Sequence, residues 1–206
     1  FYADVKMDGL AIELVYEKGL LIEASTRGDG LVGEGVLQNV KTIDAIPLRL
    51  EVGAPDRLIV RGEVFLTKKE FARINREQEK RGEKIYANPR NVAAGSIRQL
   101  DPTMTAQRKL SFYGYGIVGQ GESHATLYPT HSSEYRALKK YGIPVNPEGC
   151  VCATKKDVLT FYEAIEKKRE KLPYEIDGIV VTVDDTRMYE RAGTVGKAPR
   201  GAVAFK

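Results

Sequence analysis

The sequence predicts an α+β domain rather than a doubly wound parallel sheet. Strand and helix candidates are both numerous along the 206 residues, and the first two strands are joined by a short turn, so antiparallel pairing begins at once. The length suits one domain, and 42% apolar with 29% charged residues is an ordinary globular composition. These observations favour hairpins within a single folded unit.

Turn and cap residues set the element boundaries in the first half of the chain. Lys18 and Gly19 suit the turn of a tight hairpin. Thr67, followed three residues later by Glu70, has the spacing of a helix-capping box. An alanine-rich run closed by Asp101-Pro102 is typical of a helix that ends there. The predicted elements are strands over 10–16 and 20–26, a helix over 34–41, a strand over 58–66, and helices over 71–82 and 91–100.

The second half shows the same mixture of elements. Aromatic and β-branched residues dominate 110–118, which is the composition of a strand, and 119–130 is the most loop-like stretch. Gly142 stands where a helix ends, while Thr154 and Asp157 have the spacing of a helix start. The predicted elements are a strand over 110–118, helices over 133–141 and 155–171, a strand over 176–183, a helix over 186–191 and a strand over 202–205.

Composition and charge exclude several classes of protein. A net charge of +4 permits a polyanionic partner without establishing one. No apolar run approaches the roughly 18 residues of a membrane span, so we expect a cytosolic protein with no membrane partner. Cys150 and Cys152, with only two histidines in the chain, make a poor zinc set, and reduced strand cysteines are the better interpretation.

Five short islands of charged or small polar residues lie between strand-forming segments. The first, residues 4–9, contains Lys6, which is either a surface cation or a nucleophile that nearby cations keep unprotonated. Composition does not choose between these two interpretations. The other islands lie at 26–30, 61–63, 175–178 and 197–206, and each alone is also compatible with ordinary turn chemistry.

In chain order, the five islands resemble the motifs of the covalent nucleotidyltransferases, the superfamily of DNA ligases, RNA ligases and capping enzymes. Within that superfamily, essentially the whole chain is similar to the adenylation domain of bacterial NAD-dependent DNA ligases. Residues 87–102 resemble the longest signature of that family almost residue for residue. The resemblance implies a covalent nucleotidyltransferase fold with antiparallel sheets flanked by helices.

The resemblance also implies a reaction. Lys6 would attack the α-phosphorus of NAD, expel nicotinamide mononucleotide (NMN) and hold AMP covalently, before AMP passes to the 5′-phosphate of a DNA nick. Asp8 and Asp177 match carboxylates that help to deprotonate the lysine or place Mg²⁺, and the resemblance does not say which does which. The basic positions near the phosphates or the nicked strand are Arg27, Arg90, Arg98, Arg169 and Lys206.

Four further residues match the family's contacts to adenosine. Glu63 resembles the glutamate that accepts a hydrogen bond from a ribose hydroxyl, and Asp4 takes the place of the glutamate that reads the adenine amino group. Tyr115 and Val180 match the pair that sandwiches the adenine ring. Without the resemblance, we would interpret Tyr115 as a core aromatic residue of a strand.

Three positions depart from the family pattern. Asp4 is one methylene shorter than the family glutamate, which would lengthen the adenine contact or require a bridging water. Thr182 stands where the family usually has a lysine, so a cation beside the nucleotide is missing. Gly201 replaces a bulky residue, which affects packing before chemistry.

We therefore expect residues 1–206 to be one adenylation domain of a longer ligase. The N-terminal NMN-binding domain and the C-terminal OB-fold, zinc-finger, helix-hairpin-helix and BRCT modules would lie outside it. The implied partners are NAD and AMP, nicked double-stranded DNA and the other domains of the same chain, in the nucleoid of a bacterial cytoplasm during DNA replication and repair. The alternatives are a diverged nucleotidyltransferase that uses ATP and a non-catalytic nucleotide- or DNA-binding paralogue.

Overall fold

Strands with alternating apolar residues build two four-stranded antiparallel sheets. The computed structural model describes residues 1–28, 33–119, 121–196 and 198–206, with Glu122 described by its backbone only. The first sheet contains, in spatial order, β10 (Ala202–Phe205), β7 (Ile176–Thr182), β1 (Tyr2–Met7) and β6 (Cys150–Val151). The second contains β3 (Leu20–Thr26), β2 (Leu10–Glu17), β4 (Arg57–Phe65) and β5 (Ser111–Ile117). A separate two-stranded pair joins β8 (Thr194–Val195) to β9 (Ala198–Pro199).

Helices flank these sheets and begin at the cap residues that the sequence predicts. The Thr67 side chain accepts a hydrogen bond from the backbone N–H of Glu70, and Thr154 forms a capping box with Asp157. The helices are α1 (Leu37–Val40), α2 (Lys68–Lys80), α3 (Pro89–Ile97), α4 (Pro102–Ala106), α5 (Gly121–Leu127), α6 (His131–Lys140), α7 (Lys155–Lys168) and α8 (Thr186–Ala192), with a 3₁₀ turn at Arg169–Lys171.

Each sheet has its own hydrophobic core. The larger core packs α1, α2, α3 and α6 against the second sheet and includes the fully buried Tyr16 and Phe112. The smaller core packs α7 against the first sheet, where Phe161 and Ile165 meet Val5. Burying each sheet under helices leaves the opposite faces of the two sheets available to line a cavity between them.

The observed architecture confirms the α+β prediction. The hairpin between β2 and β3 forms at Lys18 and Gly19, both of which have positive φ angles, as the turn requires. Among the described residues, no helix combines the length and the apolar character that crossing a membrane requires.

The sequence predicts the first strand only from residue 10, whereas in the structure Lys6 already lies inside a strand, β1. In β1, Ala3 and Val5 face the smaller core, while Asp4 and Lys6 line the cavity. The alternation of a strand was therefore present in the sequence. Its signal is short, because the core face of β1 consists of three apolar residues, Ala3, Val5 and Met7.

Two other predictions were also wrong. The stretch 119–130 is not a loop, because α5 occupies Gly121–Leu127, and its His124 is buried against Glu134. The predicted helix over 34–41 is helical only at Leu37–Val40. Its first residues instead extend the second sheet, since the Thr26 N–H donates to the Glu34 carbonyl oxygen at 2.9 Å. Tertiary contacts override local propensity in both places.

Candidate active site

A cavity of about 500 Å³ lies between the two sheets. The first sheet contributes residues of β1, β7 and β10 to its wall, and the second contributes residues of β2, β4 and β5. Eight of the predicted site residues line it, namely Asp4, Lys6, Arg27, Glu63, Arg90, Arg98, Tyr115 and Val180. The fold thus gathers into one cavity residues that are widely spaced along the chain.

The Lys6 amine is held by a carboxylate of the neighbouring strand. Lys6 Nζ donates to Asp177 Oδ2 at 2.9 Å, and Lys206 Nζ lies 3.1 Å from the same oxygen. β7 is the strand between β1 and β10, so it carries the carboxylate that both lysines share. Hydrogen bonds from Lys6 and then Lys206 lower the pKa of Asp177, and the carboxylate is ionised at neutral pH.

Gly178 allows the strand with Lys206 to approach so closely. Its φ is +117°, and a Cβ placed there would lie 1.8 Å from the Phe205 carbonyl oxygen. Any other residue would be strained in this conformation and would push β10 away. The Asp-Gly pair at 177–178, which resembles turn chemistry in the sequence, is therefore required inside a sheet.

A second ion pair, between Arg90 and Asp8, lies just after the end of β1. Arg90 Nη1 is 3.3 Å from Asp8 Oδ1, and the Asp8 N–H donates to the Glu175 carbonyl oxygen at 3.1 Å. Arg90 stands in the first turn of α3, which Asn88 caps. The signature at 87–102 thus places Arg90 at the cavity wall, at the start of α3.

The donor set at this end of the cavity fits one kind of metal ion. Magnesium in nucleotide sites is held by one or two carboxylates, with substrate phosphates and water completing the octahedron. Asp177 contacts the Lys6 amine, and Asp8 follows Lys6 by two residues. Across the described ranges, no group of three or more His, Cys, Asp or Glu side chains could enclose a metal. Asp8 and Asp177 are the two carboxylates that could hold magnesium arriving with phosphates.

Glu63 is a half-buried carboxyl group on β4. Burial raises its pKa to about 7, although the charges of Arg90 and Lys6 and a hydrogen bond from the Gly9 N–H oppose the shift. A carboxyl group whose pKa is near neutral pH can ionise when a hydrogen-bond donor enters the cavity. Its position on the cavity wall fits a contact to a hydroxyl group of a ligand.

We expect Glu63→Gln to remove part of the pH dependence of stability. A folded-state pKa raised from 4.5 to about 7 gives stability that is present below pH 4.5 and lost as the pH rises through 7, worth about 3 kcal/mol. Urea unfolding at pH 5 and pH 8 should show a correspondingly smaller loss in the variant. Glu13→Gln, at a carboxylate that pairs with Arg61 on the same sheet, is the control. An equal loss in parent and variant would contradict this assignment.

Asp4 is buried at the far end of the cavity and both of its carboxylate oxygens are engaged. Its Oδ2 accepts a hydrogen bond from the Tyr135 hydroxyl at 2.6 Å, and its Oδ1 accepts one from the Val5 N–H at 2.7 Å. Burial raises the pKa of Asp4 to about 6, and these two hydrogen bonds lower it. The carboxylate is therefore mostly ionised at neutral pH.

Aromatic and aliphatic side chains form opposite walls of the cavity. Tyr115 comes from β5 in the second sheet, and Val180 comes from β7 in the first. Burial raises the pKa of Tyr115 to about 12, so its ring stays neutral. Thr182 is also on this wall and is 8% exposed, so the cation that the family usually has here is absent from the cavity lining.

Some predicted site residues lie outside the cavity wall. Arg169 does not line the cavity and donates to the Ile176 carbonyl oxygen at 3.2 Å, so it supports the strand that carries Asp177. Asp8, Asp177 and Lys206 gather around the Lys6 end without lining the wall. The predicted motifs at 26–30 and 197–206 extend to Asp29, Gly30 and Lys197, which lie outside the described residues.

Three aromatic residues of the site were missed by sequence reasoning. Tyr2, His131 and Tyr135 line the cavity around Asp4, with the Tyr2 and Tyr135 ring centroids 4.6 Å apart. Two of them come from α6, whose apolar periodicity is that of a helix packed on a core. The sequence carries no signal that would separate them from ordinary core residues.

Comparison with known proteins identifies a family that matches this chain. A sequence model of the family described as "NAD-dependent DNA ligase adenylation domain" matches residues 1–206. The chain belongs to this family. Membership in the NAD-dependent DNA ligase adenylation domain family agrees with the ligase interpretation and not with the ATP-using or non-catalytic alternatives.

Several bacterial proteins named DNA ligase are similar to this adenylation domain. One from Syntrophobacter fumaroxidans is 49% identical over 211 residues, and one from Lawsonia intracellularis is 47% identical over 208. A third, from Syntrophomonas wolfei subsp. wolfei, is 49% identical over 207 residues. Each alignment covers 100% of this chain and 30–31% of the relative, so the chain spans about a third of the length of these proteins.

Proposed function

We propose that this chain forms a covalent AMP adduct from NAD as the first step of nick sealing. The Lys6 nitrogen attacks the α-phosphorus of NAD, a P–N bond forms, and the P–O bond to NMN breaks with its electron pair leaving on NMN. The amine loses one proton. The observation that carries the proposal is the Lys6 amine, held by Asp177 at the end of a cavity between two sheets.

Asp177 supports this attack because it orients the Lys6 amine and carries a negative charge. An amine that donates to Oδ2 at 2.9 Å is held at this end of the cavity, and the proton that it loses can pass to Asp177 along the same hydrogen bond. Lys206 and Arg90 add positive charge at this end, which stabilises the extra negative charge of a pentacoordinate phosphorus. Magnesium supplied with the phosphates would add to that charge when held by Asp8 and Asp177.

The remaining cavity residues suit adenosine. Glu63 accepts a hydrogen bond from a ribose hydroxyl, Asp4 accepts one from the adenine amino group, and the ring lies between Tyr115 and Val180. A purine stacked on an aromatic face gains about 1–3 kcal/mol. Arg27 and Arg98 line the cavity as well, although Arg98 Nε is also 2.8 Å from Glu34 Oε2.

The later steps extend beyond this chain. AMP would pass from Lys6 to the 5′-phosphate of a nick in double-stranded DNA, and phosphodiester formation would release it. The share of each relative left uncovered leaves room for the other domains that we expect, including one that binds the NMN half of NAD. We place this activity in the nucleoid of a bacterial cytoplasm, in DNA replication and repair.

Intact mass spectrometry tests the proposal through the choice of donor. We expect the chain, with Mg²⁺ and an NMN-binding domain supplied as an N-terminal fusion, to gain the mass of one AMP from NAD and not from ATP. Added NMN should reverse the gain, because the step regenerates NAD. An adduct formed only from ATP would favour the diverged nucleotidyltransferase. No adduct from either donor in the fused chain would contradict the proposal.

A further inference from the structure

The hydroxyl group of Tyr135 reaches the carboxylate of Asp4 across the cavity end. Tyr135 lies on α6, while Asp4 lies on β1, 131 residues earlier in the chain. Its hydroxyl donates to Asp4 Oδ2 at 2.6 Å, a short hydrogen bond of the kind made to an ionised carboxylate. Tyr135 is 6% exposed and Asp4 is 8% exposed, so water competes little for either group.

The position of Tyr135 is fixed by the start of its helix. Thr130 forms a capping box with Ser133, and the Ser132 N–H donates to Asp184 Oδ1 at 2.8 Å, which ties the helix to the segment after β7. The Tyr135 ring also packs against Tyr2. The hydroxyl is therefore held in place independently of Asp4 and can orient it.

We propose that Tyr135 is a positioning residue that holds the short Asp4 side chain so that the cavity selects a 6-amino purine over a 6-oxo purine. The inference rests on the nucleotide site proposed above. Asp4 Oδ1 is turned toward its own backbone by the Val5 N–H, and Oδ2 accepts from Tyr135. A carboxylate oxygen has two lone-pair sites, so Oδ2 can accept a second hydrogen bond from a purine amino group.

Charge explains the selectivity. An ionised carboxylate attracts the N–H of a 6-amino group and repels the oxygen of a 6-oxo group, whereas a protonated carboxyl can donate to that oxygen. Burial alone would favour the protonated form of Asp4, and the Tyr135 hydrogen bond favours the ionised one. Tyr135 thus acts on the base through Asp4.

Several titratable groups face Asp4 from the elements packed around it. His131 lowers the pKa of Asp4 and Glu148 raises it, both through charge. Further groups that interact electrostatically with Asp4 include Tyr2, Tyr135, Cys150 and Tyr174. Among these groups, Tyr135 donates a side-chain hydrogen bond to Asp4. Removing the Tyr135 hydroxyl group therefore changes the surroundings of Asp4 locally.

Calorimetric titration of the chain with AMP and with IMP, from pH 5.5 to pH 8.5, tests the inference. We expect the parent to prefer AMP, and Tyr135→Phe to lose about tenfold in AMP affinity with less than a twofold change for IMP. AMP binding requires the ionised carboxylate, so it is lost as the pH falls through the pKa of Asp4. Without the hydroxyl, that loss should begin at a pH about one unit higher.

Two further variants separate positioning from packing. Tyr141→Phe removes another buried hydroxyl at the end of the same helix, where it meets Tyr128, and should leave the AMP-to-IMP ratio unchanged. Asp4→Glu in the Tyr135→Phe background should restore the ratio to within about threefold, because the longer side chain reaches the base without the hydroxyl.

The outcomes distinguish this inference from the proposed function. Tyr135→Phe with the parental ratio and pH profile would overturn the inference alone. Equal losses of AMP and IMP affinity, with no rescue by Asp4→Glu, would show that Tyr135 only packs the cavity wall and would also overturn it. A parent chain that binds neither nucleotide would contradict the proposed function and the inference together.

Discussion

Lys6→Arg is expected to abolish the AMP adduct while leaving non-covalent AMP binding within about threefold of the parent. Arginine keeps the positive charge and can still pair with Asp177, but a guanidinium stays protonated and cannot act as the nucleophile. Intact mass spectrometry with NAD and Mg²⁺ measures the adduct in the chain fused to an NMN-binding domain, and calorimetry measures AMP binding.

Lys206 is the natural competitor for this role, because its amine lies 3.1 Å from the same Asp177 oxygen. The two lysines differ in exposure, with side chains 27% exposed for Lys6 and 70% for Lys206. Lys206→Arg should retain the adduct. Lys68→Arg, at a lysine that pairs with Glu175 away from the cavity, is the control and should behave as the parent. An adduct that persists in Lys6→Arg would place the nucleophile elsewhere.

Asp177→Asn is expected to slow adenylation by about two orders of magnitude, which is the lower end of what a positioned proton-transfer group contributes. Asparagine keeps the shape of the side chain, but it loses the charge that both lysines share. The amine is then less firmly directed, and Lys206 loses its ion pair. The rate of adduct formation in a single turnover measures the effect.

The pH dependence provides a second test of the role of Asp177. The hydrogen bonds from Lys6 and Lys206 hold the pKa of this carboxyl below its usual range, so it stays ionised through mildly acidic pH. Any loss of rate between pH 8 and pH 6 therefore comes from other groups, and the profile of Asp177→Asn should have the same shape as that of the parent. Glu175→Gln, two residues earlier, is the matched control. A rate within threefold of the parent in Asp177→Asn would contradict the assignment.

Local signals in the sequence were sufficient for most of the fold. The hairpin at Lys18 and Gly19 and the helix starts at Thr67 and Thr154 were predicted because turns and caps depend on neighbouring residues. The helix α5 was missed because its stability comes from burial against distant elements, including the contact of His124 with Glu134. A loop-like composition does not report such contacts.

For a related reason, the sequence predicted some residues of the candidate site and missed others. Lys6 and Asp177 belong to recognisable motifs, and the structure brings them within 2.9 Å. Arg169 also belongs to the resemblance, yet the structure places it behind the strand of Asp177. Tyr135 belongs to no motif, and its contact with Asp4 exists only because α6 packs beside β1. Resemblance identifies residues, whereas only the fold reveals which of them touch.

The central position of β7 also has a consequence for the order in which the domain is assembled during synthesis. Lys6 and Lys206 are 200 residues apart, and the Asp177 that joins them is 171 residues after Lys6. Pairings between such distant segments are among the slowest to form in folding. During synthesis Lys6 is made before β7 and β10, so the amine is at first without either partner. The amine therefore acquires the surroundings that direct it only when β7 and β10 have joined the first sheet.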